Sequence, residues 1–347
     1  NRRREESGEP AVEPLYTTGD VETALEQFRP MRYRRKFDAT PTIRVRFRDA
    51  GHILGSSIVE LWLTEGSETR KLVFSGDLGY RDAPVMNKPE TLEEAHAVVM
   101  ESTYGDREHR SFTETLDELT AVFQSARASQ GNILIPAFTV GRTQDLLYLL
   151  AENYERRNLD SWDIYLDSPM AIQATRVYSE YRHLYGVRLF GPDSNLPELP
   201  NFHMTRTPED SMKINDIRSG AIVIAGSGMC SGGRILHHLK NNVWRPECHL
   251  VIVGFQAEGT TGRRLVDGAD TIKLYGDEYR VRIQLHTIGG LSAHADQADL
   301  VAWYGAFRNR PPVYLVHGER SAQEALAQKL RDDMTAQVYI AEHEQRI

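Results

Sequence analysis

Asp49-Ala50-Gly51-His52-Ile53-Leu54-Gly55-Ser56 lies between two β-like runs, Ile43 to Phe47 and Ser57 to Leu63. A strand that ends in small residues and one histidine holds that imidazole rigidly, and the flanking glycines leave room for an ion or a substrate. The same design recurs in Phe74-Ser75-Gly76-Asp77-Leu78-Gly79, Met100-Glu101-Ser102-Thr103-Tyr104-Gly105 and Tyr314-Leu315-Val316-His317-Gly318-Glu319. A fifth stretch, Gly289-Gly290-Leu291-Ser292-Ala293-His294-Ala295-Asp296, precedes a helix, for which Asp296 reads as the N-cap. Imidazole nitrogen and carboxylate oxygen suit zinc, and an aspartate can bridge two ions. One such residue alone is more often a hydrogen-bonded loop side chain than a ligand. With 12 histidines some matches arise by chance, and His96, His109, His203 and His249 lack this context. The weight lies in five such loops in order.

Outward from these loops, the texture changes at Ser111. Before it come short β runs separated by Gly- and Asp-rich turns: Ile43 to Phe47, Ser57 to Leu63, Lys71 to Phe74 and Ala97 to Met100. After Ser111-Phe112-Thr113-Glu114, a capping box, helices alternate with apolar strands such as Asn132 to Pro136, Asp163 to Leu166, Ala221 to Ala225 and Leu250 to Val253. That alternation predicts a parallel sheet covered on both faces. Residues 186–215 read as a long connection. The end returns to strand (Tyr279 to Leu285), helix (from Asp296), strand (Val313 to Val316), helix (from Ser321) and strand (Gln337 to Ile340). The layout is one domain split around an inserted one: residues 1–110 and 289–347 outside, 111–288 inside. With 347 residues and a net charge of -8, the chain excludes a broadly basic nucleic-acid coat. The basic cluster Arg29, Arg32, Arg34, Arg35 and Lys36 reads as a solvated face. Two cysteines, Cys230 and Cys248, give no disulfide framework and fit a cytoplasmic protein. No apolar run is long enough to span a bilayer, so a membrane is not an expected partner.

Within the inserted part, Pro136-Ala137-Phe138-Thr139-Val140-Gly141-Arg142-Thr143-Gln144 places Arg142 in the first turn of a helix. Gly226-Ser227-Gly228-Met229-Cys230-Ser231-Gly232-Gly233-Arg234 is a Gly- and Ser-rich loop before another helix. A Gly-rich turn by itself is more often mere packing, but backbone N–H groups and a helix start suit an anion, and Arg142, Ser227, Gly228, Ser231, Gly232 and Arg234 are the candidate phosphate-binding residues.

Together these motifs resemble the metallo-β-lactamase-fold nucleases that carry a β-CASP domain, a family that includes the pre-mRNA 3′-end cleavage endonuclease and bacterial and archaeal RNA nucleases. The resemblance implies an α/β fold: a metallo-β-lactamase αββα sandwich with an inserted parallel-sheet β-CASP domain. It implies His52 on one zinc, His317 on the other and Asp77 bridging both. It further implies His294 as proton donor to the leaving group, oriented by Glu101. The function implied is a zinc-dependent RNA nuclease, a metal-dependent hydrolase leaving 5′-phosphate and 3′-hydroxyl ends. RNA is the implied partner, and a homodimer is left open. A DNA-processing relative is the alternative enzyme, but that branch tends to have an aliphatic residue where His317 stands. A non-catalytic scaffold is the other alternative, against which both His294 and Glu101 remain. The family's His-x-His-x-Asp-His loop, source of most zinc ligands, has no counterpart in this sequence, and His237-His238 does not replace it. The stretch from Asn1-Arg2-Arg3-Arg4 to Tyr16 looks like the family chain after that loop. The expectation is an N-terminally truncated lactamase-like fold, with two zinc ions in the complete protein and weak zinc binding by these residues alone.

Overall fold

The computed structural model describes residues 10–186 and 199–342, with Arg4 and Gly8. The start of the Asn1-Arg2-Arg3-Arg4 stretch and residues 187–198 of the expected connection lie outside the described residues. Helix α1 (Thr18–Glu26) opens on a Thr17/Asp20 capping box and buries no residue. Strands β1 (Lys36–Thr40), β2 (Ile43–Asp49), β3 (Ser57–Glu65) and β4 (Glu68–Phe74) then run antiparallel, and β5 (Ala97–Glu101) adds parallel to β4.

Helix α2 (Phe112–Ser129), with its Ser111/Glu114 capping box, leads into the alternating region. This comprises β6 (Ile133–Pro136), α3 (Arg142–Glu152), β7 (Asp163–Leu166), α4 (Pro169–Glu180), β8 (Phe202–Met204) and α5 (Pro208–Ile214). It continues through β9 (Ala221–Ala225), α6 (Ile235–Asn242), β10 (His249–Ile252), α7 (Thr261–Val266), β11 (Thr271–Leu274), β12 (Asp277–Arg280) and β13 (Gln284–Thr287). Helix α8 (Gln297–Gly305), β14 (Val313–Val316), α9 (Arg320–Met334) and β15 (Val338–Ile340) complete the chain.

Two large sheets result. One has seven strands in the order β1-β2-β3-β4-β5-β14-β15, so the last two strands return to the sheet begun by the first five. The other has six, all parallel, in the order β13-β10-β6-β9-β7-β8. Strand period decides how the second sheet is buried. Ile222 and Ile224 of β9 enter one core with Ile133 and Ile135, while Ala221, Val223 and Ala225 enter the other with Leu134 and Leu250. The seven-stranded sheet packs Val73, Val98, Met100 and Leu315 against Leu300, Trp303 and Tyr304 of α8 and Leu326 and Leu330 of α9. No helix among the described residues is long and apolar enough to cross a membrane.

Two expectations are corrected. The 186–215 connection contains β8 and α5; Thr207 caps α5 and Pro208 stands at its first position, a helix-start signal in an otherwise polar stretch. The run Tyr279 to Leu285 is not one strand: β12 pairs with β11 in a hairpin, and β13 joins the six-stranded sheet. Between them Arg282 and Ile283 both donate to the Val243 carbonyl, which interrupts the ladder.

Candidate active site

The strand ends converge at one end of the seven-stranded sheet, where it faces the β-CASP-like sheet across a cavity of about 890 Å³. Adjacent parallel strands β5 and β14 place Glu101 beside Val316 in register, and this brings Glu101 and His317 to the same edge. The loop after β4 lies against the His294 loop: Ala295 N–H donates to the Leu78 carbonyl and Tyr80 N–H to the Ala293 carbonyl. His52, Asp77, His294 and His317 all line the cavity. The rings of His52 and His294 are 4.3 Å apart, and those of His294 and His317 5.6 Å.

Glu101 is almost fully buried and holds His294 through Nδ1, at 3.1 and 3.2 Å from its two oxygens. The backbone N–H of Leu78 donates to the same carboxylate. Burial alone would raise the Glu101 carboxyl, but the His294 hydrogen bond and charge hold it below the usual carboxylate range. Reciprocally, burial disfavours a charged His294, and the Glu101 contact outweighs it, so its imidazole stays protonated to a higher pH than an ordinary histidine. His52 behaves oppositely: burial, then the charge of His294, lowers its pKa.

The Asp77 carboxylate lies between two imidazoles, with Oδ2 3.9 Å from His52 Nε2 and Oδ1 3.4 Å from His317 Nδ1. The other His52 nitrogen, Nδ1, is buried without a hydrogen-bond partner. An imidazole left part-satisfied beside a half-exposed carboxylate fits a cation site better than a plain hydrogen-bonded loop. The donor atoms of His52, Asp77 and His294 all lie within 4.8 Å of one another, as do those of Glu101, His294 and His317. This donor set suits zinc.

The candidate phosphate residues divide. Arg142, Ser227 and Gly228 line the cavity; Ser231, Gly232 and Arg234 do not. The amides of Ser231 and Gly232 both donate to Ser227 Oγ, at 3.0 and 3.2 Å, so the loop's own hydroxyl holds the donors expected for phosphate. Arg234 is committed to buried Asp167 at 2.6 Å and to the carbonyls of Thr205 and Arg206. It is a structural cation. Arg142 is buried against Asp145 at 3.1 Å, and burial raises the Asp145 carboxyl to about 6.

His109, which has no motif context, also belongs to the site. Its Nε2 donates to the His294 carbonyl at 3.0 Å, and its backbone N–H donates to Asp296, which also caps α8 as read from sequence. Thr103, inside the Glu101 motif, carries no signal of its own in the sequence; its hydroxyl bonds His317 Nδ1 at 3.2 Å. Only contacts through space reveal these two roles.

Residues 143–265 match the β-CASP domain model, and residues 278–341 match that of the Zn-dependent metallo-hydrolase RNA specificity domain. The chain is 37% identical over 326 residues to a ribonuclease of Thermus thermophilus, covering 92% of this chain and 72% of that protein. It is 32% identical over 322 residues to transcription termination factor FttA of Pyrococcus abyssi and 33% over 325 to that of Thermococcus kodakarensis. It spans 49% of the length of each of these two factors.

Proposed function

The chain belongs to the β-CASP RNA nucleases of the metallo-β-lactamase fold, and from that premise we propose that it carries the cleavage centre of a zinc-dependent ribonuclease. The observation that supports this reading most is the buried Glu101–His294 pair facing Asp77 and the two flanking imidazoles in one cavity. His52, Asp77 and His317 would hold the metal. Zinc bound there supplies Lewis acidity toward the non-bridging oxygens of a phosphodiester and lowers the pKa of water.

The chain's own groups supply the rest. Glu101 keeps His294 oriented through Nδ1 and favours its charged form, leaving Nε2 free to give a proton to the departing 3′-oxygen. Products are then a 5′-phosphate and a 3′-hydroxyl. His109 and Asp296 hold the backbone of the His294 loop, so the imidazole does not have to be ordered during the reaction. Arg142, at the cavity wall, contacts a neighbouring phosphate. With the chain divided into residues 1–110, 111–288 and 289–347, this centre would lie at the boundary between the split domain and the inserted one.

The test is single-stranded RNA cleavage, alongside elemental analysis, by protein that carries the family's His-x-His-x-Asp-His loop as well as these residues. His294→Ala should lower turnover by ~10²–10⁴ with zinc content unchanged, and Glu101→Gln should do so more mildly. Loss of zinc with His294→Ala would make that residue a ligand instead, and unchanged turnover would exclude it from the reaction.

A further inference from the structure

Phe138 lies on the turn between β6 and α3, and 43% of its surface is exposed. A lone exposed phenylalanine is ordinary. Its setting here is less so. Among the described residues, Phe138 and Val140 are the exposed large apolar side chains that line the cavity containing His294.

The ring and the turn that carries it are each held in place. A Cβ on Gly228 would stand 2.7 Å from Phe138 Cδ2, so glycine there lets the ring lie flush on the 226–234 loop. Thr143 ties the turn down, donating to the Phe138 carbonyl through its N–H at 3.2 Å and its hydroxyl at 2.7 Å. A Cβ on Gly141, whose φ is +83°, would stand 2.6 Å from Ile53 Cγ2, so the same turn abuts the His52 loop. Phe255 lines the cavity as well, packed edge-on to Tyr104 at 5.9 Å, and Tyr104 is 6.4 Å from the His294 ring. A half-exposed aromatic ring is thus packed on the 226–234 loop at the wall of the catalytic cavity.

Resting on the ribonuclease reading above, we propose that Phe138 is a stacking platform for the nucleobase of a nucleotide adjoining the scissile phosphate, with Phe255 as a second apolar wall. Every base has a π-face, so the subsite holds a single strand in place without selecting its sequence. A duplex, whose bases are already stacked, cannot use it. The subsite gives an acidic protein affinity that does not depend on charge.

A double-mutant cycle on the full chain tests this, using single-stranded RNA with one abasic site placed in turn at each position. Equilibrium affinity and cleavage rate are both read. At one position, removal of the base should weaken wild-type binding roughly ten- to hundredfold. Phe138→Ala should lose a similar factor on intact RNA, and the two losses should not multiply. Phe138→Trp should restore both affinity and dependence on the base. Losses that multiply at every position, or a Phe138→Ala that binds intact RNA like the wild type, would overturn the subsite. Coupled losses in affinity with no cleavage by a zinc-loaded wild type would support the subsite and overturn the ribonuclease reading.

Discussion

At the scale of single residues, Glu60 is fully buried in the seven-stranded sheet beneath three cations. Arg46 meets it at 2.5 Å, Lys71 at 2.8 Å and Arg48 at 3.1 Å, while Arg48 also reaches Glu90, as does Arg34. Burial alone would raise the Glu60 carboxyl; the hydrogen bonds from Arg46 and Lys71 reverse that and hold it at about 2, against an ordinary 4.5. Because the folded value is depressed, the stabilisation is fully present above pH 4.5 and is lost as pH falls toward 2. The difference corresponds to about 3 kcal/mol. Urea unfolding of wild type and Glu60→Gln should therefore diverge at pH 5 and converge by that amount near pH 2. A gap independent of pH would mean that the ionised carboxylate is not what the cations stabilise. Nothing in the sequence distinguishes Glu60 from Glu65, the other acidic residue of β3, whereas the five motif loops combine a reactive side chain with nearby glycines next to a strand or helix. His109 and Phe138 escaped for the same reason as Glu60: their roles depend on neighbours far away in the chain.

Among the elements, those with a strong local signal were legible and those defined by partners were not. The capping box at Ser111 fixed the start of α2, and the wholly apolar Ala221 to Ala225 fixed a central strand. Strand β8 has only three residues and exists as an edge because β7 pairs with it. The loop 226–234 had the composition of an anion cradle, yet its geometry turns Arg234 away from the cavity and onto Asp167, which His238 Nε2 at 2.7 Å and Ser211 at 2.6 Å also hold. Arg234 is therefore a stability residue in this fold. Arg234→Ala leaves a buried carboxylate with its cation removed, at a cost of about 3 kcal/mol by the behaviour of broken buried pairs. Urea denaturation should register that loss while RNA affinity, measured well below the unfolding transition, stays at the wild-type value. Weakened binding in a variant of unchanged stability would return Arg234 to the phosphate contacts.

For the whole molecule, the question is how a chain of net charge -8 holds a polyanion. Among the described residues, Arg142 is the one lysine or arginine lining the cavity, alongside Asp77, Glu258 and Glu319. Of the amino-end basic cluster, Arg34 is tied to Glu90 and Lys36 lies over the Trp62 ring at 4.3 Å, leaving Arg32 and Arg35 as its exposed remainder with Arg29, which bonds the carbonyls of Glu26 and Phe28. In metal-free protein, with one basic side chain in the cavity, log affinity for single-stranded RNA should fall against log salt with a slope of about -0.7, the value for one neutralised phosphate. Removing Arg142 alone would strand Asp145, so the informative variant is Arg142→Gln with Asp145→Asn, which takes out both buried charges. Its slope should flatten toward zero while stability changes little, and every RNA sequence should weaken by the same factor, because phosphate contacts position a strand without reading bases. Replacing Arg29, Arg32 and Arg35 with Gln should leave the slope as it was. The reverse outcome, a slope flattened by the cluster variant and untouched by the cavity pair, would place the grip on RNA at the amino end of the chain and leave Arg142 as a packing residue of α3.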